Sequence, residues 1–278
     1  MMKRLGAIFL ASILGPGTLT IHTQAPGAMD SSATIKVVLV GDSTVAVESG
    51  WGPGFCAHVV SAANCVDMAA SGRSSKSFID EGLWQKALAE RGQFYFIQFG
   101  HNAQKDSPAL HTDPGTSFKV NLRRYIADVQ KLHAVPVLVP PLSRRNYKDG
   151  QLIVDPLHDY AAAMREVAAE EHIPLIDLYQ FSRTLLESMT QEQADQFDAT
   201  DHKDAGAGGS TAANTPDRTD ATNHQDAGVG NSTANTPDRT HLNLFGKETF
   251  GTIVANAAAH AVPALAPYIS PEGKTNLS

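Results

Sequence analysis

IKVVLVGDST (35–44) decides the fold. The run from Ile35 to Val40 is apolar except for Lys36 and does not alternate. Such a run suits a parallel strand covered on both faces. Gly41 lets the chain turn sharply, so Ser43 stands just past the strand's carboxyl end. Four more runs repeat the pattern: CVDMA (65–69), FYFIQF (94–99), VPVLVP (135–140) and IPLID (173–177). Helical segments lie between them at 83–92, 117–134 and 159–172, and a last one spans about 247–261. Strands alternating with helices predict a doubly wound α/β domain with five parallel strands. In such sheets a ligand sits beyond the carboxyl ends of the strands. The residues following each strand are therefore the ones to read for chemistry.

The chain has 278 residues, 42% apolar and 18% charged, enough for one large domain or two small ones with a sizeable core. A net charge of −7 argues against nucleic acid as a partner. At the N-terminus Lys3 and Arg4 precede an apolar run from Leu5 to Leu14, then Gly15-Pro16-Gly17. That pattern predicts a signal peptide within 1–33, with cleavage after Ala25, Ala28 or Ala33, and a domain over 34–278 that is secreted or periplasmic. A buried N-terminal helix is the alternative. No later segment is apolar enough to span a membrane. Cys56 and Cys65 form either one local disulfide or two buried thiols, and spacing alone does not choose.

After the first strand, Ser43 is either a nucleophile at the sheet edge or an N-cap. After the second, Gly72 either brings its N–H close to a ligand or makes a turn. After the third, Asn102 is either a neutral donor for an oxyanion or a turn residue. A serine nucleophile needs a base, and the base an orienting carboxylate. Among 11 histidines, Asp-x-x-His occurs in DPLH (155–158) and DRTH (238–241). Asp155-Pro156 reads as a helix start. Asp238 and His241 precede the last helix, where they can reach back to Ser43. Ahead of them, 198–240 is a tandem duplication: 198–219 and 220–240 share 17 of 21 aligned residues. It lacks apolar periodicity and is expected to be an exposed, mobile insertion. It also lacks the spacing of a calcium loop, and no metal is implied. TPDRT occurs in both copies, yet only the second runs into a histidine. Asp217, His202 and His224 are therefore read as passengers of the duplication.

GDST (41–44), the Gly72 turn, GHN (100–102) and DRTH (238–241) together resemble the four blocks of the SGNH, or GDSL-type, hydrolase superfamily. SGRSSKSFIDEG (71–82), QFGHN (98–102), PPLSRRNY (140–147) and DRTHLN (238–243) are similar to its rhamnogalacturonan acetylesterase branch. The resemblance implies a flavodoxin-like three-layer α/β/α fold with a five-stranded parallel sheet. It implies Ser43 as nucleophile, His241 as base and Asp238 as its orienting partner. Ser43, Gly72 and Asn102 would supply the oxyanion hole, without metal or organic cofactor. It implies a monomer acting on an acetylated polysaccharide such as rhamnogalacturonan, or on a small acetyl ester. Activity is then expected to fall below about pH 6, because a histidine base must be neutral. Asp42, Arg73, Arg144 and Arg145 are candidates for substrate contact, the arginines through uronate carboxylates. The family pattern GHND stands here as GHNA, so Ala103 replaces a bracing carboxylate, and Asp106 is the candidate substitute. A xylan or aryl acetylesterase, a lipase-like hydrolase, or an inactive carbohydrate-binding protein are the other readings of the same scaffold.

Overall fold

The computed structural model describes residues 35–60, 65–199 and 237–270. The signal segment predicted within 1–33 and most of the duplicated insertion, including His202, Asp217 and His224, lie outside the described residues. The strands are β1 (Val37–Gly41), β2 (Cys65–Asp67), β3 (Phe94–Gln98) and β4 (Val135–Leu138), with a small hairpin of β5 (Tyr147–Lys148) and β6 (Gln151–Leu152). The helices are α1 (Gly52–His58), α2 (Ser77–Asp80), α3 (Leu83–Ala89), α4 (Ser117–Lys131), α5 (Leu157–Glu170), α6 (Leu178–Glu187), α7 (Gln191–Ala194) and α8 (Leu244–Ala261). Among the described residues, no helix is long and apolar enough to cross a membrane.

The main sheet runs β2-β1-β3-β4, all parallel, with Val37 beside Cys65 and Phe94, and Phe94 beside Val135. Among the described residues it has four strands, not the five expected. The segment 173–177 takes the fifth place but makes only an isolated parallel bridge, Leu138 to Leu175. Two hydrogen bonds hold it, Leu138 N–H to Pro174 O (3.1 Å) and Ile176 N–H to Leu138 O (2.9 Å). Pro174 has no N–H to give, and Asp177 already caps α6 by accepting from Gln180 N–H at 3.1 Å. The run is cut before it can lengthen into a strand. It lies beside β4, at the edge where a flavodoxin-like sheet carries its last strand.

Alternate strand residues face opposite sides. Val37, Leu39, Phe94, Phe96 and Val137 pack against Trp51, Phe55, Leu178, Phe250 and Val254, from α1, α6, α8 and the turn before α1. Val38, Val40, Tyr95, Ile97 and Leu138 pack against Phe78, Trp84, Leu122, Tyr125 and Met164, from α2 to α5. Helices thus cover both faces, which is why the strands read as unbroken apolar runs. Cys56 of α1 and Cys65 of β2 are joined by a disulfide, which closes the alternative left open by their spacing. On the same side α1 and α8 touch backbone to backbone. A Cβ on Gly54 would lie 2.0 Å from Lys247 O, and one on Gly251 would lie 2.3 Å from Gly54 C.

Candidate active site

β1 ends at Gly41, and a turn follows in which Val45 and Ala46 N–H both donate to Asp42 O (3.0 and 3.1 Å). Ser43 rides on that turn at 9% exposure, and its carbonyl accepts from Ser49 Oγ at 2.8 Å. The approach to α8 brings in the partners. His241 Nε2 lies 2.8 Å from Ser43 Oγ, and His241 Nδ1 lies 2.7 Å from Asp238 Oδ2. Asp238 Oδ1 accepts from the N–H groups of Thr240 and His241, each at 3.0 Å. Burial alone would raise this carboxyl. The hydrogen bonds from the His241 ring and the two N–H groups outweigh it and hold Asp238 well below the usual carboxylate range. An ionised Asp238 only accepts, so the proton sits on Nδ1 and donates to it. Nε2 then offers its lone pair to the Ser43 hydroxyl.

The oxyanion-hole candidates come from the neighbouring strand ends. Gly72 adopts φ +80°, and nothing lies within 4 Å of where a Cβ would sit. Glycine is required there by conformation rather than by space. The N–H groups of Ser43 and Gly72 have no hydrogen-bond partner among the described residues. Asn102 is 5% exposed and donates one amide hydrogen to Arg73 O at 3.0 Å. That bond ties the turn after β3 to the turn after β2 and leaves the second amide hydrogen for a ligand.

Two candidates for substrate contact are corrected. Asp42 has no exposed surface. Its Oδ1 accepts from Thr44 N–H (2.9 Å) and Thr44 Oγ1–H (2.7 Å), while Oδ2 has no partner among the described residues and lies 3.8 Å from His101 Nδ1. The network continues inward: Gln98 Nε2 donates to Thr44 Oγ1 (2.6 Å), and Trp51 Nε1 donates to Gln98 Oε1 (2.9 Å). Burial raises the Asp42 carboxyl against the Thr44 hydrogen bonds. Burial, helped by the Arg144 charge, holds His101 well below the ordinary histidine range and so neutral. Arg145 is likewise fully buried, on Asp198 and on main-chain carbonyls, and cannot reach a polymer outside. Burial pushes Asp198 up to about 6 even with Arg145 beside it.

The other two remain at the surface. Arg73 pairs with Glu81 (2.9 Å) and donates to Ser71 O (2.8 Å). Arg144 donates to Gln104 Oε1 (3.3 Å) and lies 3.5 Å from Asp155. Ala103 is buried in the apolar cluster with Phe78 and Phe99. Its loop is braced by the main chain instead of a carboxylate: Ala103 O accepts from Thr112 N–H (3.2 Å), and Tyr160 Oη–H donates to Thr112 O (2.6 Å) with Ala103 O 3.1 Å away. Asp106 is exposed and makes no hydrogen bond among the described residues, so it does not take that place. Sequence reading missed Trp51, Gln98 and Asp198. Only the repeated DAT that opens each copy marked Asp198, only its place at the head of QFGHN marked Gln98, and nothing marked Trp51.

Residues 39–203 match the GDSL-like lipase/acylhydrolase family. The chain belongs to this family. As a member it is a carboxylic ester hydrolase. The match spans Ser43, Gly72 and Asn102 and ends inside the first copy of the duplication. The place of Asp238 and His241 beside Ser43 is therefore read from the geometry. The hydrolase is 36% identical over 166 residues to a probable rhamnogalacturonan acetylesterase of Bacillus subtilis (strain 168), covering 56% of this chain and 76% of that protein. It is 34% identical over 170 residues to a rhamnogalacturonan acetylesterase of the same strain, covering 58% and 72%. Among solved structures, a Bacillus subtilis protein superposes with a TM-score of 0.59 at 18% identity, over 82% of this chain. This hydrolase spans 57% of that protein's length. At that identity the likeness speaks for the α/β fold alone.

Proposed function

We propose that this hydrolase is an exported carbohydrate esterase that removes acetyl groups from rhamnogalacturonan-type pectin through a Ser43–His241–Asp238 acyl-enzyme mechanism. The observation that carries it is the unbroken chain Ser43 Oγ, His241 Nε2, His241 Nδ1, Asp238 Oδ2, with links of 2.8 and 2.7 Å. The acetyl-sugar substrate is supported by the two rhamnogalacturonan acetylesterase relatives. Export is supported by the positive-then-apolar N-terminus and by the Cys56–Cys65 disulfide, a bond that persists in oxidising compartments.

Ser43 Oγ attacks the acetyl carbonyl carbon as His241 Nε2 takes its proton. The carbonyl oxygen becomes an oxyanion facing the N–H groups of Ser43 and Gly72 and the free amide hydrogen of Asn102. Each such donor contributes about 3 kcal/mol to the transition state. The tetrahedral centre collapses, the C–O bond to the sugar breaks, and His241 returns the proton to the departing sugar oxygen. Water then gives a proton to His241 as its oxygen attacks acetyl-Ser43, releasing acetate and restoring the serine. Asp238 holds the ring in the needed tautomer and balances the imidazolium. Arg73 and Arg144 border the site and suit the uronate carboxylates of pectin.

The test is acetate release from acetylated rhamnogalacturonan and from acetylxylan, beside p-nitrophenyl esters of increasing acyl length. The expected result is Ser43-dependent release, faster on the pectic polymer and on the acetyl ester. Turnover that rises with acyl length points instead to a lipase-like hydrolase. No activity lost in Ser43→Ala overturns the enzyme mechanism.

A further inference from the structure

Arg145 is fully buried, and its guanidinium is bonded to the frame around Asp238 and His241. Nε donates to Asp198 Oδ1 at 2.7 Å. Nη2 donates to the carbonyl of Asp238 at 3.0 Å and to that of His241 at 2.7 Å. The main-chain N–H of Arg145 donates to Arg239 O at 3.1 Å. One residue therefore grips both ends and the interior of the turn 238–241. Asp198 is the first residue of the duplication, 40 positions before Asp238 in sequence. It bridges antiparallel to Leu242, and Ala199 N–H donates to His241 O at 3.1 Å. The first residue of the duplication and the turn at its end are thus held at a single guanidinium.

A buried ion pair is weak support for stability, because desolvation offsets its attraction. Among the described residues this pair is also left incomplete, with Arg145 Nη1 and Asp198 Oδ2 lacking partners. What it does fix is the spacing of the two carbonyls that flank the base and its carboxylate. We infer that Arg145 is a positioning residue: it ties the Asp238–His241 turn to Asp198 and keeps the imidazole aligned with Ser43 independently of the inserted segment. The inference rests on the esterase mechanism above. Lysine keeps the charge but is a point donor without the planar fork that spans three acceptors.

The experiment is Arg145→Lys assayed on p-nitrophenyl acetate across pH. Misalignment of a catalytic group costs up to about 100-fold, so kcat is expected to fall about 30-fold while KM stays within about twofold. The acid limb of kcat/KM is expected to move to lower pH, because a loosened Asp238 stabilises the imidazolium less. Asp198→Asn keeps an acceptor for Nε and gives the same signs at smaller size. Arg165→Lys is the control: it weakens a bidentate pair with Asp177 (2.7 and 3.0 Å) elsewhere and leaves kcat, KM and the pH limb unchanged. Deleting 200–236 is expected to leave kcat within about threefold, since Arg145, Asp198 and Ala199, which hold the turn, all stay in place. A raised KM at unchanged kcat makes Arg145 a substrate-binding group and overturns the inference. So does a fall in kcat and thermal stability with the pH limb unmoved, or loss of activity on the deletion. Wild type without Ser43-dependent hydrolysis sinks the esterase reading and this inference with it. Active wild type with an unaltered Arg145→Lys sinks only this one.

Discussion

Two aspartate–histidine pairs lie around Ser43, and they are built in opposite ways. Asp238 and His241 are 2.7 Å apart, with side chains 38% and 34% exposed. Asp42 and His101 are 3.8 Å apart, with side chains 0% and 5% exposed. Asp238 takes three donors shared over both oxygens and is held ionised. Asp42 takes its two donors from Thr44 on one oxygen and none on the other, and burial raises it. Residue types are the same; donors and water decide the role. In the proposed mechanism the open pair passes a proton to substrate. The closed pair packs the turn that carries Ser43 against the turn that carries Asn102, and the polar contact between those turns is Thr44 Oγ1 to His101 Nδ1 at 3.5 Å.

Substitutions can break this contrast. The largest effect is expected from His241→Ala, a loss in kcat of about 10⁴-fold or more in steady-state assays, since it removes the base. Asp238→Asn comes next, with kcat down about 10³- to 10⁴-fold because the wrong tautomer faces Ser43. The same exchange in the closed pair, Asp42→Asn, is expected to keep kcat within about tenfold and to raise the thermal midpoint at pH 8. Its sign follows from linkage. The folded pKa of Asp42 lies above its unfolded value, so the native state keeps a proton that the unfolded state releases, and stability falls as pH rises past the unfolded value. Asparagine removes that slope. Equal losses of kcat from the two asparagine variants would erase the distinction between the pairs.

A half-buried carboxyl that stands away from both pairs, Asp67, sharpens the comparison. Asp67 Oδ1 accepts from Ala69 N–H at 2.9 Å, Oδ2 has no partner, and burial pushes the group up to about 7. Wild-type stability is therefore expected to decline between about pH 4 and pH 7 and to level off above, with Asp67→Asn flattening the decline. Denaturant midpoints taken across that range test it, and kcat should be unchanged. The smallest effect is expected from Asp217→Ala. Its copy of TPDRT runs into Asp220 and supplies no imidazole, so kcat should stay within about twofold of wild type.

The strands were legible because both faces are covered, so burial writes itself into continuous apolar runs. IPLID (173–177) carried the same signal, but Pro174 and the cap at Asp177 act at the ladder, which composition does not register. Ser43, Gly72 and Asn102 were legible because each follows a strand directly, and the sheet converts that order into adjacency. Arg145 was misread for the opposite reason. Its partner Asp198 is 53 residues away in sequence, and a charged residue at a strand end looks the same whether it faces water or a buried carboxylate. Asp42 was misread similarly, since one residue of turn separates an outward Ser43 from an inward neighbour. Cys56 and Cys65 needed coordinates, because their pairing depends on how α1 lies over β2.

The contact between Gly54 and Gly251 reaches further than packing. α1 follows the turn that carries Ser43, and α8 follows the turn that carries His241. With no side chain between them the two helices seat as one block, so the span from hydroxyl to imidazole is gauged by two hydrogens on two glycines. A saturation screen for activity should therefore score Gly54 and Gly251 nearly as intolerant as the triad, although neither approaches the acetyl group. Even alanine would wedge the helices apart and move the base off its target.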